Sequence, residues 1–205
     1  STVNPPSGSV GTAQLADGSV SLAKLSATGT KDSTTFLRGD NTFNTPPLGG
    51  ITETDIWRLT SDKTGANGVS LISANLSRAT NNANALLGTG MTESSGTFTF
   101  PSTGYWYVEA NLNVQRSGNT DNYGGCDILV TTNNSTYNVH ARGFASVGSG
   151  DGQMDQVRVS AFIDVTDTSN VKARFQVNDD STSISYRGES TMNESYFRFT
   201  RFGDT

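Results

Sequence analysis

Cys126 and His140 are the only thiol and the only imidazole in the chain. A nucleophile pair needs these two side chains in contact, with a third group orienting the base. "GGCDILV" around Cys126 and "STYNVHAR" around His140 read as strands that can lie side by side. The residue types fit a plainer reading better. Cys126 reads as a small buried hydrophobe, and His140 as a strand residue facing solvent or a subunit contact. One His and one Cys are too few for a zinc site within one chain, although three copies of His140 brought together on a symmetry axis would supply one. Carboxylates pair at Asp151 and Asp155 in "DGQMD" and at Asp179-Asp180 in "VNDDSTS". Neither stretch has the spacing of a calcium loop, and both read first as polar turns. Glycosidase carboxylates are defined by their separation in space, which sequence spacing does not supply. No Gly-Lys-Ser/Thr phosphate loop and no nucleophile elbow is present. The chain is expected to bind rather than catalyse, with no cofactor and no metal.

A second motif is Arg38-Gly39-Asp40 in "STTFLRGDNTFN", the tripeptide that adhesion proteins show to integrins. A tripeptide alone is weak evidence. Its structural reading is that Gly39 makes a turn and Asp40 caps local backbone amides.

The elements that position these residues must be strands. Hydrophobic residues are 33% and charged residues 16% of 205, with 22 glycines. This is too polar for one large self-sufficient core and too weakly charged for a disordered chain. Such a Gly/Thr/Asn-rich chain reads as all-β and buries part of its apolar surface against its own copies. A net charge of −5 with scattered basic residues argues against a nucleic-acid partner. No apolar run approaches the roughly 18 residues of a membrane span, so no membrane insertion is expected. The chain opens on Ser1 without a signal peptide, as a fragment or a processed protein does.

Two regions differ in pattern. Residues 1–50 hold an internal repeat: Gly8-Ser9-Val10 with Leu15-Ala16-Asp17, then Gly18-Ser19-Val20 with Leu25-Ser26-Ala27, a period of ten. Val10, Leu15, Val20 and Leu25 form a stripe too thin for one chain to bury, but several parallel copies could bury it layer by layer. The alternative is a flexible Gly/Ser/Thr linker. From residue 51 to 205 the pattern is alternation. Trp106, Val108, Ala110, Leu112 and Val114 share one face, and Tyr107, Glu109, Asn111 and Asn113 the other. Val157, Val159, Ala161, Ile163 and Val165 form a second face, and Val171, Ala173, Phe175 and Val177 a third. A period of two with β-branched and aromatic residues predicts half-buried antiparallel strands. Shorter strands are expected at 55–60, 85–91, 97–100, 126–132, 137–145 and 195–202. About eight strands in this length give an antiparallel jelly-roll β-sandwich.

The stretch "GMTESSGTFTFPSTGYWYVEANLNV" resembles the signature of the complement component 1q and tumour-necrosis-factor superfamily, with Phe98-x-Phe100-Pro101 and Gly104-Tyr105 leading into the central strand at Val108. "DIWRLT" and "SYFRFTRFGDT" fit that fold's first and last strands, and "VTDTSNVKARF" its penultimate turn. The resemblance covers about residues 52–203 and implies a homotrimer with the first and last strands near the three-fold axis. It also leaves calcium open, since some members bind it. The N-terminal region resembles bacteriophage tail fibres, in which a motif like Leu37-Arg38-Gly39-Asp40-Asn41-Thr42-Phe43 precedes the tip. Asn41 and Phe43 stand where Gly and Trp are more usual. Together the two resemblances imply a trimeric receptor-binding tip on the virion, outside the host cell. They imply a host surface glycan or protein as partner.

Binding is expected on the loops 116–125, 143–156 and 178–190. Tyr123, Tyr186 and Arg187, with Asn119, Asp121, Asn122 and Asp151, suit a saccharide, rings stacking on sugar faces and polar groups pairing with hydroxyls. Trp57, Trp106, Phe98, Phe100, Phe197 and Phe199 are expected in the core or at the trimer axis. Two other functions fit: a soluble complement- or necrosis-factor-like lectin or signalling module, and a structural trimerisation cap.

Overall fold

The alternating stretches become strands because their apolar halves have a second sheet to pack against. The computed structural model describes residues 6–8, 15–46, 50–80, 86–118, 122–148 and 150–205. The chain divides into two compact units, Ser1–Gly49 and Gly50–Thr205.

In the first unit a 3-10 turn, Leu22–Lys24, precedes the two-residue strands β1 (Phe36–Leu37) and β2 (Phe43–Asn44), paired antiparallel. The tripeptide Arg38-Gly39-Asp40 is the connection between them. Asp40 Oδ1 accepts the Thr42 N–H at 3.1 Å and the Thr42 hydroxyl at 2.6 Å, the expected capping role. These bonds to Thr42 hold the carboxyl of Asp40 below its ordinary pKa. Asn41 sits at φ +62°. That left-handed conformation is tolerated by Gly and, next best, by Asn, which explains the residue found there. Val10 of the apolar stripe lies outside the described residues. Leu15 and Val20 are about half exposed and Leu25 is partly buried.

In the second unit the strands are β3 (Glu53–Leu59), β4 (Lys63–Thr64), β5 (Gly68–Leu71), β6 (Leu76–Arg78), β7 (Thr92–Ser94), β8 (Thr97–Thr99) and β9 (Gly104–Arg116). They continue with β10 (Asn122–Thr131), β11 (Asn138–Val147), β12 (Met154–Val165), β13 (Lys172–Asp179), β14 (Ile184–Tyr186) and β15 (Tyr196–Gly203). One sheet runs β11-β10-β13-β8-β7, with β5 also on β13; the other runs β4-β14-β9-β15-β3-β6, with β12 on the free edge of β9. Every pairing within these two sheets is antiparallel. Two face-packed antiparallel sheets with strands crossing between them make the jelly roll. The β7–β8 hairpin turns through Ser95 (φ +49°) and Gly96 (φ +80°), the pair of positive angles that matches strand twist in a two-residue loop.

The core is the set of inward phases read from the alternation. Trp106, Val108, Ala110, Leu112 and Val114 are buried, as are Val157, Val159, Ile163 and Val165, and Ala173, Phe175 and Val177. Phe98 lies at its centre, 5.5 Å from Phe175, 5.0 Å from Phe199 and 6.3 Å from Phe197 between ring centroids. Phe100 packs on Trp106 at 5.3 Å. Trp57 is partly buried, edge-on to Phe98, and donates its indole N–H to buried Asp55 at 2.9 Å.

Three expectations change. The predicted strand at 85–91 is, among the described residues, only an isolated bridge from Leu87 to Thr54. Its apolar pair Leu86-Leu87 is exposed instead of alternating. Glu109 and Asn111, on the outward phase of β9, are nevertheless buried beneath neighbouring side chains. Asp179 is not a turn residue: it is buried at the end of β13 and accepts the Ala66 and Asn67 N–H groups at 2.8 Å each.

Candidate functional site

One end of the sandwich gathers the ends of β9, β10, β11, β12 and β13. Arg116 N–H donates to Gln153 O at 3.0 Å and Gly152 N–H to Arg116 O at 2.8 Å. Ser117 N–H donates to Ser183 O at 3.0 Å. Asp151 Oδ1 accepts the Gly118 N–H at 3.2 Å, and Asp180 Oδ1 accepts the Tyr123 N–H at 3.2 Å. The tip is thus stitched by turns that bind one another's amides, which is how short polar loops satisfy their backbone. Asp151 and Tyr123 belong to this end. Asn119 and Asp121 lie outside the described residues, and of Asn122 only the backbone, at the start of β10, is described.

Tyr123 is a strand residue, not a loop residue. It pairs with Ser146 of β11, and its ring stands edge-on to Phe144 at 5.2 Å. Phe144 is 53% exposed. Beside it, Arg142 holds buried Asp127 through Nε and Nη2 at 2.6 and 2.8 Å. Gln176 Nε2 adds a third bond to the same carboxylate at 2.7 Å. Burial alone would raise the pKa of Asp127, but the bonds from Arg142 and Gln176 outweigh it and the net shift is downward. Arg174 stacks over the Tyr137 ring at 3.8 Å. The outward face of β11, β10 and β13 therefore carries two exposed aromatic edges around a fixed guanidinium–carboxylate pair. Rings and planar donors of this kind suit sugar faces and hydroxyls. Phe144, Arg142, Asp127 and Gln176 were missed in the sequence because neighbouring strands place them together.

Tyr186 corrects the sequence reading. Its side chain is fully buried in β14; the hydroxyl accepts the Gly125 N–H at 3.1 Å and donates to Asp179 Oδ2 at 3.3 Å. Burial pushes its pKa up. It is a core residue with a satisfied polar end, so its ring offers nothing to a receptor. Arg187 is partly exposed but paired with Asp62, and it lies 3.7 Å from Glu194. It sits beside the 60–63 turn, where Asp62 also accepts the N–H of neighbouring Gly188 at 2.9 Å.

Cys126 is fully buried, and burial followed by the nearby Asp127 charge pushes its thiol pKa far up. Its β11 partner is Gly143, whereas His140 lies exposed at a register shift of that strand. His140 lines a cleft of about 310 Å³ with Asn138, Ile163 and Asp164. Among the described residues no hydrogen bond joins Cys126 to His140, and no group of three His, Cys, Asp or Glu is placed to hold a metal.

The opposite sheet presents another surface. On its outward face Tyr107, Phe162 and Phe202 form an aromatic cluster, with centroids 5.3 Å (Tyr107–Phe162), 5.5 Å (Phe162–Phe202) and 6.3 Å (Tyr107–Phe202) apart. Phe162 and Phe202 are 59% and 56% exposed. Next to them Glu109 accepts the hydroxyls of Tyr107 and Tyr196 at 3.1 and 3.3 Å. Asn111 donates to the Tyr196 hydroxyl at 3.2 Å, while its buried Oδ1 has no partner.

The fold has known counterparts. The chain is similar to the structure of Eiger TNF from S. frugiperda, with a TM-score of 0.50 and 11% identity over 76% of this chain and 96% of that one. It is also similar to murine APRIL, at a TM-score of 0.48 and 6% identity over 73% of this chain and 99% of that chain. No protein-family model matches the sequence, and no curated protein does. The fold is an antiparallel jelly roll similar to that of the Eiger structure. At this identity the likeness speaks of fold alone.

Proposed function

We propose that the chain is the homotrimeric tip of a viral tail fibre that attaches to a host cell-surface receptor, a glycan in the first instance, and that it acts by binding without catalysis. The observation that carries this reading is the Tyr107–Phe162–Phe202 cluster, an exposed aromatic patch on the face of β9, β12 and β15. Exposed apolar patches of this kind mark association surfaces. Covering this one with two further copies would leave the β11-β10-β13 face and the tip free to meet a receptor. The three-fold number rests on the superfamily resemblance. The fibre setting rests on the ten-residue repeat and on Leu37–Phe43. Weak contacts at each head would then be raised by avidity across three sites.

The test has two parts. Light scattering on residues 1–205 and 51–205 should give masses of three times 21.7 kDa and three times the head alone. Purified protein added to host bacteria should then block adsorption of the particle that carries it. A monomeric head, or adsorption unaffected at saturating protein, overturns the proposal.

A further inference from the structure

Arg116 is the residue of the tip that its surroundings leave unexplained. It extends the inward phase of β9 one step beyond Val114, so its guanidinium points into the end of the sandwich rather than into water. The residue is only 1% exposed. Nη1 donates to Gly148 O at 2.8 Å, but Nε and Nη2 are buried with no hydrogen-bond partner. Among the described residues no carboxylate forms an ion pair with it. A buried charge is normally paired, because desolvation without compensation is costly. Arg116 also lines a cleft of about 230 Å³ with Gln115, Ser117, Asp151, Gly152 and Ser185. That is smaller than the roughly 300 Å³ at which drug-sized pockets begin, so the space suits a single sugar residue.

We infer that this cleft is a subsite for a carboxylate-bearing saccharide, the acid group seated on Arg116 and a ring hydroxyl donated to Asp151. This rests on the attachment reading above and names the class of glycan. The planar fork of a guanidinium whose Nε–Nη2 edge has no partner matches a carboxylate. Asp151 sets the remaining preference. One of its oxygens accepts Gly118 N–H, and the residue lines the same small cleft, which gives hydroxyls a carboxylate to donate to. A dianionic phosphate beside that carboxylate is repelled more than a monoanionic sugar acid whose neighbouring hydroxyls can donate to it. The chain as a whole carries −5, so selectivity for an anion must come from this local charge.

The test uses residues 1–205 with the arginine Nε–H resonances observed by NMR. Glucuronate and N-acetylneuraminate are titrated in parallel with glucose, acetate and inorganic phosphate. The expected result is a saturable shift of the Arg116 Nε–H with the sugar acids, at least tenfold weaker with glucose or acetate. By isothermal calorimetry, Arg116→Met should abolish sugar-acid binding while keeping or raising the thermal midpoint. Arg116→Lys, which keeps the charge and loses the fork, should weaken binding about tenfold. Phosphate binding as tightly as the sugar acids overturns the assignment. So does absence of any shift, with Arg116→Met lowering the midpoint, which makes Arg116 structural and watered. Adsorption is read separately. Sugar-acid binding without adsorption block keeps the subsite and removes the attachment reading; block without sugar-acid binding does the reverse.

Discussion

Arg142 closes over Asp127 as a fork, Nε and Nη2 donating to the two carboxylate oxygens at 2.6 and 2.8 Å. The two sides of the pair are not equivalent. The Asp127 side chain is fully buried, whereas that of Arg142 is 44% exposed. Losing Asp127 frees a guanidinium that water can solvate; losing Arg142 strands a buried carboxylate.

That asymmetry gives an ordering. Arg142→Ala should destabilise the fold more than Asp127→Asn, because a buried charge that loses its counter-ion costs more than a guanidinium left to water. Urea unfolding of both variants checks it, and equal losses would contradict it.

The same pair sets a pH dependence. Its folded-state pKa being lowered, Asp127 contributes stability that is complete above the unfolded carboxylate value of about 3.9. It is lost as pH falls through the lower folded value. The stability gap between wild type and Asp127→Asn should be flat above about pH 5 and close below about pH 4. Melts from pH 3 to pH 7 would show it.

Tyr186 and Tyr123 should separate cleanly. Tyr186→Phe removes the acceptor of buried Gly125 N–H and should cost about 1–2 kcal/mol, with host attachment unchanged. Tyr123→Ala exposes no core and should reduce attachment with little loss of stability. Attachment assays beside thermal melts read both, and an attachment defect confined to Tyr186→Phe would reverse the assignment.

Cys126 should be silent toward thiol reagents in the folded protein. Its thiol is buried and held protonated, and the thiolate is the reactive form. Modification by an aromatic disulfide should proceed only at the rate of opening, and fully in denaturant. Rapid labelling of the native chain would place the thiol elsewhere.

Phe162→Asp and Phe202→Asp should each drive the assembly to the 21.7 kDa chain. A charge set into a covered apolar contact has no partner there. Light scattering decides, and a trimer that survives both substitutions would move the interface away from this face.

Residues 106–114, 157–165 and 171–177 gave up their inward faces to inspection because a strand's side chains alternate regardless of what they meet, so the jelly roll was legible before its partners were known. The turn at Arg38–Asp40 was legible for a similar reason, since an Asp side chain caps the amide two residues on, as Asp40 does that of Thr42. Extending the β9 alternation by one more step would also have marked Arg116 as inward-facing. What alternation does not reveal is which strand lies beside which. Tyr186 read as a loop aromatic until β14 was seen inserted against β9, which turned its ring into the core and gave its hydroxyl to Gly125 and Asp179. Phe144, Arg142, Asp127 and Gln176 are as much as 49 residues apart in sequence and became one surface only through the β11-β10-β13 pairing. Local patterns fix what a side chain can do and which way it points. Contacts across such distances are set by register between strands, and only the folded chain decides that.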